Sequence, residues 1–97
     1  MKKITDFSNK NLLLVDDDSP FRERLARAME KKGFHVSQAE SVKKGIESVK
    51  QSCPGFAVVD LRLGDGNGLE VVKEIKKKGP DSRVIMLTGY GNIPTAV

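Results

Sequence analysis

The sequence predicts a doubly wound α/β fold, in which parallel strands form one open sheet that helices cover on both faces. Unbroken apolar runs are typical of strands buried on both sides of a parallel sheet, and three occur, at residues 12–15, 56–59 and 84–87. Segments with the helical spacing of apolar residues lie between the predicted strands, which gives the order β-α-β-α-β-α-β. Connections of this kind are right-handed.

The second strand of this series, residues 35–39, is more polar than the other three and alternates weakly. Such a pattern is typical of a strand that has one neighbour and partial cover. We therefore expect it at an edge of the sheet.

Signals at both ends delimit the predicted helices. Ser19 is the expected N-cap of the first helix, Pro20 takes its first position, and Gly33 closes it. Ser41 is the expected N-cap of the second helix, and residues 78–80, Lys-Gly-Pro, stop the third. The apolar stripes of the three helices are Phe21, Leu25 and Met29, then Val42, Ile46 and Val49, and finally Leu69, Val72 and Ile75.

Length and composition describe one globular domain. The chain has 97 residues, of which 38% are hydrophobic and 31% are charged. We take residues 1–10 as an N-terminal tail and residues 11–97 as the domain. No apolar run approaches the ~20 residues that span a bilayer, the tail shows no export signal, and the single cysteine, Cys53, rules out an internal disulfide. The sequence thus predicts a cytoplasmic protein without a membrane partner.

Acidic side chains follow the predicted strands at the points where those strands end. Asp16, Asp17 and Asp18 come directly after the first strand, Asp60 ends the third, and Thr88 ends the fourth. Ligands of open α/β sheets bind beyond the carboxyl ends of the strands. If the first and third strands are neighbours, Asp16, Asp17 and Asp60 converge there, and their charges repel one another unless a cation lies among them. Asp18 has a simpler alternative, as a cap of the first helix.

Carboxylate ligands favour Mg²⁺ at this edge of the sheet, because no His or Cys accompanies them in the sequence. Mg²⁺ held by carboxylates is also what phosphoryl transfer needs. Asp60 could then act as the nucleophile and form an acyl phosphate, while the Thr88 hydroxyl donates to a phosphoryl oxygen. A purely structural reading of Thr88, as a β-branched residue that ends a strand, stays open.

Three motifs resemble response-regulator receiver domains. Residues 13–18 (LLVDDD) are similar to the acidic first strand of that family, residues 58–63 (VVDLRL) with 65–69 (DGNGL) to its phosphoacceptor strand and following loop, and residues 84–89 (VIMLTG) to its switch strand. The longer strings 57–69 and 87–93 resemble a narrower group, the bacterial redox-responsive global regulators of the RegA/PrrA/ActR type.

The resemblance implies a flavodoxin-like (CheY-like) sheet with the strand order 2-1-3-4 and a function as the phosphoacceptor domain of a two-component response regulator. It implies Asp60 as the phosphoacceptor and Thr88 as the switch hydroxyl. Asp16, Asp17 and Asp60 would hold Mg²⁺ together with the backbone carbonyl of Arg62. The phosphodonor would be a phosphohistidine on a sensor histidine kinase. DNA would be bound only through an output domain absent from this chain, in keeping with a low aromatic content of 5%.

The chain is expected to stop before the fifth strand and fifth helix of the family, with a fourth helix beginning near Ile93. The lysine that ends the family's fifth strand would then be missing, which predicts poor phosphorylation. We also expect one edge of the fourth strand to be bare, with Val84, Ile85 and Leu87 losing cover, and hence marginal stability or self-association through that edge.

An enzyme is the alternative that the sequence leaves open. Haloacid-dehalogenase-type phosphatases have an apolar strand followed by Asp-x-Asp, which would make Asp16 the nucleophile and Asp18 the acid/base, and a second strand that ends in Ser or Thr, which Thr88 satisfies. The loop after Asp60 has no explanation in that reading, so we favour a signalling protein over an enzyme.

Overall fold

A central sheet organises the computed structural model, which describes residues 9–87 and 94–96. In chain order the strands are β1 (Asn11–Val15), β2 (His35–Ala39), β3 (Phe56–Asp60), β4 (Arg62–Leu63), β5 (Gly66–Asn67), β6 (Arg83–Leu87) and β7 (Pro94–Ala96). The helices are α1 (Ser19–Lys31), α2 (Val42–Gln51) and α3 (Leu69–Lys78). Among the described residues, no helix combines the length and the apolar character needed to cross a bilayer.

The order of strands in the sheet is β2-β1-β3-β6-β7, and the first four are parallel. The predicted order 2-1-3-4 is thereby confirmed, with β6 as the fourth strand of the series and the polar strand β2 at an edge. Strands β4 and β5 form a separate antiparallel pair in the loop that follows β3. The fold is the flavodoxin-like, CheY-like arrangement.

Alternate residues of the strands enter two apolar clusters, one on each face of the sheet, as the period-2 geometry of strands requires. Leu13, Val15, Ala57 and Val59 pack with residues of α2 and α3. Leu12, Leu14 and Val58 pack with residues of α1, including Ala26. Cover on both faces explains why these strands are apolar without interruption.

The helix caps agree with the sequence except at one position. Asp18, and not Ser19, is the N-cap of α1, because its Oδ1 accepts a hydrogen bond from the backbone N–H of Phe21 at 3.1 Å. Ser41 caps α2 as predicted, with its hydroxyl accepting from the N–H of Lys44 at 3.1 Å. Gly33 follows α1 with a φ of 104°, and α3 ends at Lys78.

Two of the three residues in the predicted stripe of α3 are confirmed, and the third is wrong. Val71, Val72 and Ile75 are buried, whereas Leu69 is 43% exposed. The helix begins at Leu69, so this residue lies at the open end of the helix and Val71 takes its place against the sheet.

The prediction of a fourth helix near Ile93 is wrong for the described residues 94–96, which form strand β7. This strand pairs antiparallel with Ile85, Met86 and Leu87 of β6. Residues before a proline avoid the helical region, and proline is compatible with an edge strand. The edge of β6 that we expected to be bare therefore carries a strand of the same chain. Val84 and Leu87 are buried, and only Ile85 of the three residues named above is exposed, at 43%.

Candidate functional site

Three aspartates meet at the carboxyl end of the sheet. Asp16 and Asp17 directly follow β1, Asp60 is the last residue of β3, and these two strands are neighbours. Each of the three carboxylates offers an oxygen that lies within 4.8 Å of the others. The convergence predicted from the sequence is therefore present. We call Asp16, Asp17 and Asp60 the acidic cluster.

Asp16 is held on its backbone and on its side chain. Its N–H donates to the carbonyl of Ala39 at 3.0 Å, which continues the pairing of β1 with β2. Its Oδ1 accepts from the N–H of Asp18 at 2.9 Å. The side chain is only 8% exposed, and burial raises the pKa of the Asp16 carboxyl, with a further rise from the neighbouring carboxylate of Asp60.

Asp60 projects from the end of a central strand and is half-buried. Burial raises the pKa of its carboxyl, and the charge of Asp17 raises it further, while a hydrogen bond from the N–H of Arg62 to Oδ1 at 3.2 Å acts in the opposite direction. Two carboxyls of one cluster thus have raised pKa values. Burial is the larger cause of both rises, and the like charges that meet in the cluster add to it.

The acidic cluster opens into a cleft of about 430 Å³, large enough for a phosphoryl group and water. Its lining is Asp16, Asp17, Asp18, Phe21, Arg24, Asp60 and Arg62. The cleft is polar on the sheet side, and two arginines lie at its border. An anion with a bound cation fits such a lining better than an apolar ligand does.

The donor set of the cluster fits Mg²⁺. All three ligand groups are carboxylates, the hard oxygen donors that this ion prefers. Neighbouring ligands of an octahedral Mg²⁺ are about 3.0 Å apart and opposite ones about 4.2 Å, so oxygens that lie within 4.8 Å of one another can share one ion after rotation of the carboxylates or through a bound water. Arg62 lines the same cleft, and its carbonyl remains a predicted ligand.

Thr88, the predicted switch hydroxyl, lies outside the described residues. The residue before it, Leu87, is the partner of Asp60 in the pairing of β3 with β6. The carbonyl of Leu87 also accepts from the N–H of Leu61 at 2.9 Å. Strand β6 therefore ends beside the phosphoacceptor candidate.

The loop after Asp60 closes tightly against the strand that precedes it. The N–H of Gly68 donates to the carbonyl of Leu61 at 2.8 Å. A Cβ at position 68 would overlap with the carbonyl oxygen of Asp60 and lie 2.9 Å from Cγ1 of Val59. Glycine is required here by the close approach of the two backbones.

Two residues that sequence reasoning missed hold the loops of the cleft. Arg22 of α1 donates to the carbonyl of Asp16 at 2.5 Å. Asp65, between β4 and β5, accepts from the N–H groups of Val42 and Lys43 at 2.8 and 3.1 Å. Arg22 carries no sequence signal that separates it from the other cations of α1. An aspartate in a glycine-rich loop is a usual turn residue, so Asp65 gave no signal of a distant helix cap either.

The family comparison agrees with this geometry. The sequence model of the response regulator receiver domain matches residues 12–97. The photosynthetic apparatus regulatory protein RegA of Rhodobacter capsulatus is 56% identical over 90 residues, 93% of this chain and 49% of that protein. The acid tolerance regulatory protein ActR of Sinorhizobium medicae is 58% identical over 89 residues, 92% of this chain and 46% of that protein. The chain spans about half the length of the curated relatives it matches.

Solved structures show the same fold. A response regulator from Burkholderia pseudomallei, with a phosphorylated aspartic acid, a calcium ion and citrate, has a TM-score of 0.79 at 35% identity and covers 86% of this chain and 49% of its own. Response regulator TrrA of Thermotoga maritima, in complex with Mg²⁺ and BeF, has a TM-score of 0.75 at 30% identity, over 84% of this chain and 71% of its own. Sequence motifs, sheet order and relatives lead to one conclusion: this chain belongs to the response regulator receiver domain family.

Proposed function

We propose that the chain accepts a phosphoryl group on Asp60 in a Mg²⁺-dependent transfer from a phosphohistidine of a sensor histidine kinase. The convergence of three carboxylates beside the end of β3 carries this proposal. Asp60 is the member of the cluster that ends a central strand and faces the cleft, with neighbours suited to holding a cation next to it. The structural relative with a phosphorylated aspartic acid has the same fold.

Each residue of the cleft has a distinct task in the proposed transfer. One carboxylate oxygen of Asp60 forms a bond to phosphorus while the bond from phosphorus to the donor nitrogen breaks, and the electron pair of that bond stays on the imidazole. The N–H of Arg62, which donates to Oδ1 of Asp60, orients the carboxylate. Mg²⁺, when bound by Asp16, Asp17, Asp60 and the Arg62 carbonyl, offsets negative charge on the transferring oxygens.

The raised pKa of Asp60 supports its role as the nucleophile. A carboxylate whose charged form is disfavoured by burial and by Asp17 gains more from binding phosphorus than a solvated carboxylate does. We assign the hydroxyl of Thr88, which follows Leu87 in the sequence, to a phosphoryl oxygen.

The proposal places the domain, residues 11–97, within a cytoplasmic two-component regulator of transcription. The relatives include RegA, ActR and the Escherichia coli transcriptional regulatory protein GlrR, of which the last is 36% identical over 87 residues. Phosphorylation would change the population of two receiver conformations and so control an output domain that binds DNA.

The contacts of Asp16 and Asp18 do not favour the phosphatase alternative. Its nucleophile, Asp16, is almost fully buried, with Oδ1 engaged by the N–H of Asp18. Its acid/base, Asp18, uses its carboxylate as the N-cap of α1. Asp18 is thus committed to the local structure of the loop, and Asp16 has one carboxylate oxygen already engaged.

Intact-mass spectrometry after incubation with Mg²⁺ and a small phosphodonor tests the proposal. We expect the wild-type chain to gain the mass of one phosphoryl group. Asp60→Asn should gain none, whereas Asp81→Asn, which makes the same charge change at an exposed position, should behave as wild type. Incorporation into Asp60→Asn at the wild-type level would refute the assignment, and hydrolysis of a phosphomonoester that depends on Asp16 and survives Asp60→Asn would support the enzyme instead.

A further inference from the structure

Arg22 ties three elements together behind the acidic cluster. Its Nη1 donates to the backbone carbonyl of Asp16 at 2.5 Å, its Nε to Oε1 of Gln38 at 2.9 Å, and its Nη2 reaches the hydroxyl of Ser19 at 3.4 Å. Gln38 belongs to the edge strand β2, and Arg22 and Ser19 belong to α1. Arg22 as a whole is half-buried, and hydrogen bonds to different elements hold its planar guanidinium.

The carbonyl that Arg22 binds belongs to the peptide unit between Asp16 and Asp17. Because a peptide unit is planar, fixing the direction of this C=O also fixes the N–H and the Cα position of Asp17. The N–H of Asp16 is already held by the carbonyl of Ala39 at 3.0 Å. The two hydrogen bonds together restrain the backbone from which the carboxylates of Asp16 and Asp17 project.

The charge of Arg22 and its hydrogen bonds should affect the binding of a metal ion in opposite directions. A guanidinium close to the acidic cluster repels an incoming divalent cation, so its removal should tighten binding of any such ion. Geometry acts differently, since Mg²⁺ demands near-ideal octahedral ligands whereas Ca²⁺ tolerates flexible ones. The charge of Arg22 thus weakens metal binding, whereas its ordering of the ligands strengthens it. Of these two effects, only the ordering of the ligands changes the preference between two ions of equal charge.

We infer that Arg22, itself held by Gln38 of β2, is a positioning residue of the acidic cluster, which orients the Asp16–Asp17 peptide unit and so favours Mg²⁺ over Ca²⁺. The inference rests on the proposed function in that it takes the cluster as a Mg²⁺ site. It adds a residue that does not belong to the lining of the cleft.

Calorimetric titration of the chain with MgCl₂ and with CaCl₂ tests the inference. We expect Arg22→Met, which keeps the length of the side chain and removes its donors, to weaken Mg²⁺ binding by about tenfold, as outer-shell changes do. Ca²⁺ binding should weaken less, so the Mg²⁺/Ca²⁺ preference falls. Arg22→Lys, which keeps the charge and loses the fork, should resemble Arg22→Met. Arg27→Met is the matched control, because it removes an equal charge from an exposed position of the same helix.

Tighter binding of both ions to Arg22→Met would overturn the inference and leave Arg22 with an electrostatic role, and an equal change for both ions would overturn the inferred preference for Mg²⁺. Far-UV circular dichroism of each variant at the titration temperature shows that the chain is folded.

A second measurement needs no metal and separates this inference from the proposed function. The N–H of Asp18 donates to Oδ1 of Asp16, and its exchange with deuterium reports the order of the loop. We expect faster exchange at Asp18 in Arg22→Met and wild-type exchange in Arg27→Met. Unchanged exchange would overturn the positioning role. A wild-type chain that binds neither ion would refute the Mg²⁺ site of the proposed function, and exchange would still decide whether Arg22 orders the loop.

Discussion

The two loops that border the acidic cleft are anchored by groups of opposite charge. In the first loop, residues 16–18, the guanidinium of Arg22 donates a hydrogen bond to the backbone carbonyl of Asp16. In the second loop, residues 61–68, the carboxylate of Asp65 accepts hydrogen bonds from two N–H groups at the start of α2. An arginine stays charged at every pH at which the protein folds, whereas an aspartate does not. The first anchor should therefore resist acid, and the second should fail in it.

The second loop has a further restraint. It brings the backbone at Gly68 against the carbonyl of Asp60, whereas the first continues directly into the N-cap of α1. Steric fit thus adds to hydrogen bonding in the second loop. Substitutions can separate these contributions.

Gly68→Ala should have the largest effect. The added methyl group would overlap with the carbonyl oxygen of Asp60, so we expect a loss of roughly 3 kcal/mol of unfolding free energy, in the range of severe steric strain. Urea denaturation measures it. Gly64→Ala is the matched control in the same loop, since a Cβ there meets nothing within 4 Å. Equal stability of the two variants would contradict the close packing of the second loop.

Asp65→Asn should have a smaller effect that depends on pH. The two N–H groups at the start of α2 hold the pKa of the Asp65 carboxyl below its usual range. The ionised form is therefore favoured in the folded state, and its stabilisation is present above the unfolded pKa of about 3.9 and lost as the pH falls through the lower folded value. Melting temperatures between neutral pH and pH 3 should fall less steeply for the variant than for the wild type. Parallel profiles would contradict the anchor.

Asp60→Asn should stabilise the metal-free chain by the smallest amount, a rise in Tm of roughly 3 °C, or less than about 1 kcal/mol after solvent screening. Burial and Asp17 raise the pKa of Asp60. Its ionisation therefore costs stability in the folded state, beginning as the pH rises past the unfolded pKa and complete above the raised folded pKa.

The gain in the Asp60→Asn variant should accordingly appear at neutral pH and shrink below about pH 4. Added Mg²⁺ should raise the Tm of the wild type more than that of the variant. A wild type more stable than Asp60→Asn without metal would contradict the repulsion within the acidic cluster.

Local patterns in the sequence were sufficient for most of the fold. The apolar runs at 12–15, 56–59 and 84–87 are strands because burial on both faces requires continuous apolar residues. Aspartates that follow neighbouring parallel strands meet by geometry alone, and this made the cluster of Asp16, Asp17 and Asp60 predictable.

Features that depend on distant partners were not predictable. Asp65 caps a helix whose first residue lies 23 positions earlier in the chain. Arg22 depends on a hydrogen bond to Gln38 of the edge strand β2. Strand β7 forms because β6 offers an unpaired edge, a property of the assembled sheet that residues 94–96 do not encode locally. Burial of Val71 in place of Leu69 likewise follows from where α3 begins.

Binding of beryllofluoride, a phosphoryl analogue, tests most directly the claim that Asp60 is a Mg²⁺-dependent phosphoacceptor. Fluorine NMR of the wild-type chain should show a bound signal that saturates at one analogue per chain when Mg²⁺ is present and disappears when it is removed. Asp60→Asn should give no bound signal, and Asp81→Asn should match the wild type. A bound signal of equal strength in Asp60→Asn, or one that persists in the wild type without Mg²⁺, would contradict the account.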